Sequence, residues 1–206
     1  MKPALVRFSL TFGGLRMKRL WIGLAAVALC ALPASASSVI GLTIEDQARL
    51  AKHVVLGTVV SQIGVDDPEN GIETEVTIQV KRDLKGIAAK GDTLVFRTRS
   101  GRIGDEVSMA DGDAVFHTGK PVLVFLEDID GQLYNLGLSM GVFSVSEDKN
   151  GKVHVRRDIQ DGLEVMGDTP VEMGPLPLEA VAAKVKKAID QPEFDDAMLR
   201  EVKRGN

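Results

Sequence analysis

The stretch LAKHVVLGTVVSQ, residues 50–62, decides the fold of this chain. It consists largely of β-branched and aliphatic residues, which are enriched in strands. Because successive side chains of a strand point to opposite faces, its apolar residues divide into two sets, Val54, Leu56 and Val60 on one face and Val55 and Val59 on the other. Such a strand is expected to be covered on both sides, and Gly57 allows a bend or a close backbone approach.

The residues before this strand predict a short helix. In TIEDQARLAKH (43–53), Thr43 can cap the first turn. Asp46 lies three residues further on, where its carboxylate can reach back and close a capping box. The helix is therefore expected to lead directly into the strand.

The cleanest alternation in the chain follows a turn-rich segment, DDPENG (66–71), which reads as a hairpin loop. In IETEVTIQVKRDL (72–84), apolar residues are expected to face inward and polar residues to face solvent. The inward set is Ile72, Val76, Ile78, Val80 and Leu84, and the outward set is Glu73, Glu75, Thr77, Gln79 and Lys81.

Further strands are predicted on both sides of an irregular stretch, Ser100 to Lys120, which is long enough to bind something or to carry a short strand of its own in DEVSM. The strands are DTLVFRTR (92–99), PVLVFLED (121–128), QLYNLGL (132–138), GVFSVSED (141–148) and KVHVRRD (152–158). The segment LPLEAVAAKVKKAIDQP (176–192) instead has apolar residues at helical spacing. Phe194 to Val202 is expected to add a helical turn or two.

These elements predict a mainly β fold, a small antiparallel OB-type barrel with a short N-terminal helix and a C-terminal amphipathic helix. Three segments are expected: a signal peptide (1–36), the barrel domain (37–160), and a linker with a C-terminal helical segment (161–206).

The first 36 residues have the pattern of a secretory signal peptide. A basic Lys18–Arg19 pair precedes an apolar run, and Ala34-Ser35-Ala36 is a small-residue cleavage motif, so cleavage is expected after Ala36. Met1 or Met17 can be the true start. The expected location is the periplasm or the extracellular medium, with no integral membrane span after signal removal. The lone cysteine, Cys30, would leave with the leader, so the mature chain can form no disulfide.

The composition of the mature chain argues against nucleic-acid binding. Residues 37–206 contain 20 basic and 29 acidic residues, a formal net charge of −9, which disfavours binding to phosphate backbones. Five phenylalanines and Tyr134 are its only aromatic residues, so few bases could stack on it. An OB domain for nucleic acid therefore ranks below a protein or small-ligand partner.

The chain lacks the common catalytic signatures, including zinc-protease helices, nucleophile elbows and dinucleotide loops. No catalytic residue, cofactor or metal ligand is therefore assigned, and the chain is predicted to be non-enzymatic. His53, His117 and His154 could converge on a metal, but no pair has ligand spacing on a helix or a strand. The acidic turns DDPENG and SEDKNG do not follow the ligand alternation of a calcium loop.

The order of these motifs resembles the netrin-like module, the OB-type barrel of tissue inhibitors of metalloproteinases, and also a group of uncharacterised exported bacterial proteins. DQARLAKHVVLGTVVSQ (46–62), TEVTIQVKRDLKG (74–86) and GKPVLVFLEDIDGQLYNLG (119–137) carry the resemblance. In the animal inhibitors, the amine of a leading cysteine binds the protease zinc. Here Ser37 and Ser38 correspond to that inhibitory end, and no cysteine is present to tether it.

The sequence therefore predicts an exported, non-enzymatic protein-interaction module. Its sharpest form is an inhibitor or partner of an exported metalloprotease, or of another envelope protein. The alternative is a periplasmic protein that binds a small ligand or a metal through the 100–120 stretch or the barrel mouth.

Overall fold

The computed structural model describes residues 37–193. The predicted signal peptide (1–36), its cleavage site and the predicted helical turns of 194–202 lie outside the described residues. The strands are β1 (Ser37–Ile40), β2 (His53–Asp67), β3 (Gly71–Lys85), β4 (Thr93–Thr98), β5 (Gly101–Ile103), β6 (Glu106–Ser108), β7 (Pro121–Ile129), β8 (Gln132–Asn135), β9 (Val142–Glu147), β10 (Val153–Arg157), β11 (Leu163–Met166) and β12 (Leu176–Pro177). The helices are α1 (Ile44–Leu50) and α2 (Leu178–Asp190), and a 3-10 turn spans Leu138–Gly141.

Five strands close into a barrel in the order β2-β3-β4-β8-β7, with β7 pairing back to β2. All of these pairs are antiparallel except β4 with β8, which is parallel and in register only at Arg97 and Tyr134. The predicted fold class, a mainly β protein with a small barrel and two helices, is confirmed. Strands β9, β10 and β12 extend the sheet from β7.

Strand β2 lies between two apolar cores, as its doubly apolar pattern predicts. Val55 and Val59 face the barrel interior, which is also lined by Val76, Ile78 and Phe96. On the opposite face, the outer core lies between the barrel and the two helices, and contains Val54, Leu56, Ile44, Ala48, Leu123, Phe125, Phe143, Val181 and Val185, among others. Val60 was expected in this set, but its side chain is 45% exposed, because the β2–β3 pairing shifts register between Val59 and Ser61.

Strand β3 follows the predicted alternation from Val76 to Val80, whereas Leu84 packs against the outer core and not the barrel interior. Val76, Ile78 and Val80 are buried, and the loop that links β2 to β3 is the expected hairpin turn. Glu73 was expected to face solvent, but its side chain is fully buried. The expectation was wrong because residues after β4 fold back over this end of β3, where a Cβ on Gly101 would overlap the Glu73 backbone.

The two helices form where the sequence places them. Thr43 caps α1: its hydroxyl accepts from the Asp46 amide at 3.1 Å and donates to the Asp46 carboxylate at 2.6 Å. The Lys85 ammonium closes the other end by donating to the carbonyls of Ala48 and Ala51. Helix α2 buries Leu178, Val181, Val185 and Ala188 on its predicted apolar face.

The stretch 100–120 contains a small antiparallel hairpin, β5–β6, followed by an irregular segment. The hairpin lies against the outer parts of β2 and β3. The first strand of the described chain, β1, pairs in parallel with β11. Neither helix within residues 37–193 is long and apolar enough to cross a membrane.

Candidate binding groove

A half-open groove of about 410 Å³ lies at one end of the barrel. Four parts of the chain form it: β2, the segment 114–122, the strand β9 with the 3-10 turn before it, and the residues that follow β10. We call this site the barrel-mouth groove; its lining includes Val59, Ala114, Phe116, His117, Lys120, Val122, Ser139, Val142, Ser144, Val145, Asp158 and Gln160.

The floor of the groove is the end of the barrel core. Phe116 is buried there, and its ring packs edge-on against Phe96 inside the barrel, with 5.3 Å between the ring centres. Val59 and Val122, from neighbouring strands, are buried beside it. The segment 114–120 is held in place because Gly119 donates its amide to the Val59 carbonyl at 2.8 Å and Val59 donates to Lys120 at 3.0 Å. Phe116 therefore plugs the barrel, and the groove lies above the plug.

The rim of the groove is polar. The charged residue on one side has hydrogen-bond and ion-pair partners, whereas the charged residue on the other side has none among the described residues. On one side, the Asp158 carboxylate accepts from the Ser144 hydroxyl at 2.7 Å and lies 3.4 Å from the Arg156 guanidinium. On the other side, Lys120 and His117 are exposed, and in the described part of the chain neither side chain has a hydrogen-bond or ion-pair partner. The groove thus presents one uncompensated ammonium beside an apolar floor.

Asp113 anchors the segment that carries the groove wall. This buried carboxylate accepts from the Ser100 amide at 2.7 Å, from the Ala114 amide at 2.9 Å and from the Asn135 side chain at 3.4 Å. Because it binds both ends of the 100–114 loop, it holds the β5–β6 hairpin and the groove wall in a fixed relation.

A second polar cluster lies on the outer surface of the barrel, where β4 and β8 close it. The buried Glu73 carboxylate accepts from the Tyr134 hydroxyl at 3.0 and 3.1 Å and from Arg97 at 3.3 Å. Arg97 also contacts Asp67 at 3.0 Å, and the Arg99 guanidinium lies 4.9 Å from the Tyr134 ring centre. Burial lowers the pKa of Arg97, but the interactions with Glu73 and Tyr134 together outweigh burial, and the pKa is raised. The Arg97 Nε is buried without a hydrogen-bond partner, but the charged groups of the cluster pair with one another, so we interpret the cluster as a structural closure.

A third buried polar group, Arg157, lies in the outer core. Its guanidinium lies 4.6 Å from the Phe143 ring centre and donates to the Gln47 side chain at 3.2 Å. No carboxylate within residues 37–193 forms an ion pair with it, and burial lowers the pKa of Arg157 to about 10. Arg157 does not line the groove, to which this part of the chain contributes Asp158 and Gln160 instead.

The three histidines lie in three different environments. His117 lines the groove. His53 lies at the start of β2, where its Nδ1 and the Asp83 Oδ1 are both buried without a hydrogen bond; burial lowers the pKa of His53, and Asp83 opposes this. The His154 ring nitrogen Nδ1 lies 3.1 Å from the nearby Lys152 carbonyl. No group of three or more His, Cys, Asp or Glu side chains in residues 37–193 is placed to hold a metal.

The acidic turns make the contacts of ordinary turns. Asp67 in DDPENG accepts from the amides of Glu69 and Asn70, each at 3.0 Å. Asp148 in SEDKNG accepts from Asn150 and Lys152 in the same way. Asx turns of this kind are a common role for aspartate in loops.

Ser37 and Ser38, which correspond by resemblance to the inhibitory end, lie in β1. The Ser37 amide donates to the Gly162 carbonyl at 2.9 Å, and Ser38 pairs with Glu164. This end of the barrel domain is therefore tethered by strand pairing, without a disulfide.

No family model matches this chain, and no curated protein matches its sequence. The sequence pattern did identify one wall of the groove, because the 100–120 stretch is longer than a simple connection requires. It missed the opposite wall, which comes from β9 and from Asp158 and Gln160. Those residues carry no local signal, since they become groove residues only when β9 pairs beside β7.

Proposed function

We propose that this protein is an exported, non-enzymatic protein-interaction module that contacts its partner through the segment 100–120. The distribution of exposed apolar side chains supports this proposal. Four of the twelve large exposed apolar residues in the described chain lie in this one segment: Ile103, Val107, Met109 and Val115. Single exposed apolar residues are ordinary on a surface, whereas a concentration of them is typical of a contact site.

The segment is also held in one conformation, which favours binding. The Ser100 carbonyl accepts from the Thr74 hydroxyl at 2.7 Å, and the Ser100 hydroxyl accepts from the Ala110 amide at 3.0 Å. Together with Asp113, these bonds fix both ends of the hairpin. A surface that is ordered before it binds loses less conformational entropy on binding.

The test is site-specific photocrosslinking in the native cell. A photoreactive residue at Val107 is expected to give one discrete adduct, and the same residue at Gln79, which is exposed on β3, is the matched control. The double variant Val107→Ser/Met109→Ser should abolish binding of the purified partner while its melting temperature stays unchanged. Equal adducts at both positions, or none at Val107, would contradict the proposal.

The sharpest form of the proposal is a metalloprotease partner engaged by the Ser37 amine. Two observations support it: the resemblance, and the pairing of β1 with β11. Because this pairing orders the Ser37 end before binding, the complex avoids an entropic cost of about 1–2 kcal/mol per residue. A zinc ligand needs its nitrogen lone pair free of a proton, so the Ser37 amine must bind as a neutral NH2 group, whose hydrogens can still donate to the Gly162 carbonyl. Inhibition assays compare a chain that begins at Ser37 with one that carries an extra amino-terminal residue. Equal activity of the two chains against a zinc protease would contradict this form.

The barrel-mouth groove favours a second candidate function, binding of a small ligand. Its volume of about 410 Å³ falls in the range of small-molecule sites, about 300–1,000 Å³. A thermal-shift screen of metabolites and metal ions tests this candidate. A ligand that raises the melting temperature of the wild type, but not of the groove-filling variant Ser144→Trp, is the expected result; the absence of any such ligand would count against it.

A further inference from the structure

We propose that the barrel-mouth groove binds a small carboxylic acid, with the apolar part of the acid on the Phe116 floor and its carboxylate at Lys120. This inference rests on the second candidate function, that the groove holds a small molecule, and it names the chemical class of that molecule. It does not depend on the hairpin or on the Ser37 end.

The floor selects an apolar body. Val59, Phe116 and Val122 are buried among the side chains of the barrel interior, yet they line the groove. Val142, which is partly buried, supplies an apolar side chain to one wall from β9, and the exposed Ser144 lies on the same face of that strand. Water that covers this surface has few polar groups to bind, so an aliphatic chain that displaces it gains the hydrophobic free energy of each buried methylene.

The rim selects the charge of the ligand head. The acidic residue of the groove, Asp158, already has the Ser144 hydroxyl and the Arg156 guanidinium as partners. The Lys120 ammonium has no acidic partner among the described residues, and His117 beside it can donate a second hydrogen bond. A carboxylate therefore complements the rim, whereas a cationic ligand would meet an unpaired ammonium.

The size of the groove favours a free small molecule over a protein segment. About 410 Å³ is close to the lower end of the range for small-molecule sites. The backbone of the groove wall is already bonded, since the Gly119 amide and the Lys120 carbonyl both bond to Val59. An extended peptide therefore finds no free main-chain edge on that wall.

The experiment is isothermal titration of the chain from Ser37 onward with hexanoate, octanoate and decanoate, and with octanamide as the uncharged analogue. Each pair of added methylenes is expected to tighten Kd about tenfold until the groove is full. Octanamide should bind at least tenfold more weakly than octanoate. A peptide with a free carboxyl terminus, and its amide, are run beside these acids to represent a polypeptide source of the carboxylate.

Two variants locate the site. Lys120→Gln should raise the Kd of octanoate about tenfold and leave that of octanamide unchanged; Lys90→Gln, an exposed lysine outside the groove, is the control. Ser144→Trp, at an exposed groove position on the same face of β9 as Val142, should abolish binding of both compounds without a large change in melting temperature.

The outcomes separate the inference from the function on which it rests. Tight octanoate binding that depends on Lys120 supports the inference. Equal binding of octanoate and octanamide, or octanoate binding that Lys120→Gln leaves unchanged, overturns it while the groove remains a small-molecule site. Binding of the free-carboxyl peptide without octanoate overturns it in favour of a protein ligand. If no compound binds, the inference fails together with small-molecule binding.

Discussion

Replacement of Glu73 by leucine is expected to destabilise the barrel at its parallel closure. The substitution removes a fully buried carboxylate that accepts from Tyr134 and from Arg97. The Tyr134 hydroxyl is then buried without an acceptor, which costs about 1–3 kcal/mol. Arg97 keeps its contact with Asp67 but loses its inner partner. Removal of one member of a buried ionic pair typically costs about 3–5 kcal/mol in total.

Urea unfolding followed by far-ultraviolet circular dichroism measures this loss. For a chain of this size, about 3–5 kcal/mol corresponds to a fall of about 6–20 °C in melting temperature. Glu73→Gln keeps an acceptor for Tyr134 and should cost less, about 1–2 kcal/mol. Glu75→Gln, the same change one outward position along β3, should stay within about 0.5 kcal/mol of the wild type. If Glu73→Leu is as stable as Glu75→Gln, the network does not hold the closure.

Tyr134 gives the same substitution an independent readout, because it is the only tyrosine in the chain. Burial raises the pKa of Tyr134, and the hydrogen bond to Glu73 raises it further. A raised pKa in the folded state means that this stabilisation is present below the unfolded pKa of 10.0 and is lost as the pH rises through the folded value. Spectrophotometric titration of Glu73→Gln should therefore show a lower tyrosine pKa than the wild type; an unchanged value would show that Glu73 has no part in the shift.

Three further substitutions test other parts of the fold. Val59→Asp places an unpaired carboxylate in the barrel interior, where Val59 is buried, and should abolish the cooperative melt; a melt near the wild-type temperature would refute the assignment of this strand. Burial lowers the pKa of His53, so the unfolded chain binds more protons than the folded chain as the pH falls below 6.5, and the free energy of unfolding decreases between about pH 8 and pH 5. His53→Gln should remove part of this decrease. Urea titrations of both proteins measure it, and a difference in stability that does not change with pH would contradict the prediction. Gln47→Leu should lower the free energy of unfolding by about 1–3 kcal/mol in the wild type and by less in Arg157→Met, because the Gln47 side-chain oxygen accepts from the buried Arg157 guanidinium. Additive losses in the double-mutant cycle would show that the two residues are not coupled.

The sequence predicts well the elements whose buried faces follow from the local spacing of their apolar residues. LAKHVVLGTVVSQ is apolar on both faces, and β2 indeed lies between the barrel interior and the outer core. The C-terminal helix buries the face that its 3.6-residue spacing selects. A single strand does not reveal where its partner bulges, however, and the shift after Val59 turned Val60 outward.

The polar residues of the interior could not be predicted, because their environment comes from distant parts of the chain. Alternation correctly places Glu73 on the outer face of β3, but the chain at Ser100 and Gly101 covers that face. Arg157 follows Arg156 in an ordinary two-faced strand, and its burial depends on Phe143 and α1. The groove is a stronger case, since its lining spans Val59 to Gln160. The sequence therefore indicated one wall of the candidate site and gave no signal for the other.

Asp113 connects the two proposed binding surfaces, so its replacement should affect both. Its carboxylate accepts from the Ser100 amide, at the base of the hairpin, and from the Ala114 amide, at the start of the groove wall. Asp113→Ala removes these bonds and leaves buried amides unsatisfied, at a cost of about 1–3 kcal/mol each.

We expect Asp113→Ala to weaken crosslinking from position 107 and octanoate binding together, because both surfaces lose their common anchor. Met109→Ser, made in the chain that carries the photoreactive residue at position 107, should affect only the first measurement, and Lys120→Gln only the second. If Asp113→Ala remains folded and leaves either activity unchanged, that surface is held by its other contacts: the β5–β6 pairing for the hairpin, or the bonds between Val59 and the 119–120 backbone for the groove. The comparison thus shows which hydrogen bonds hold each surface in its conformation.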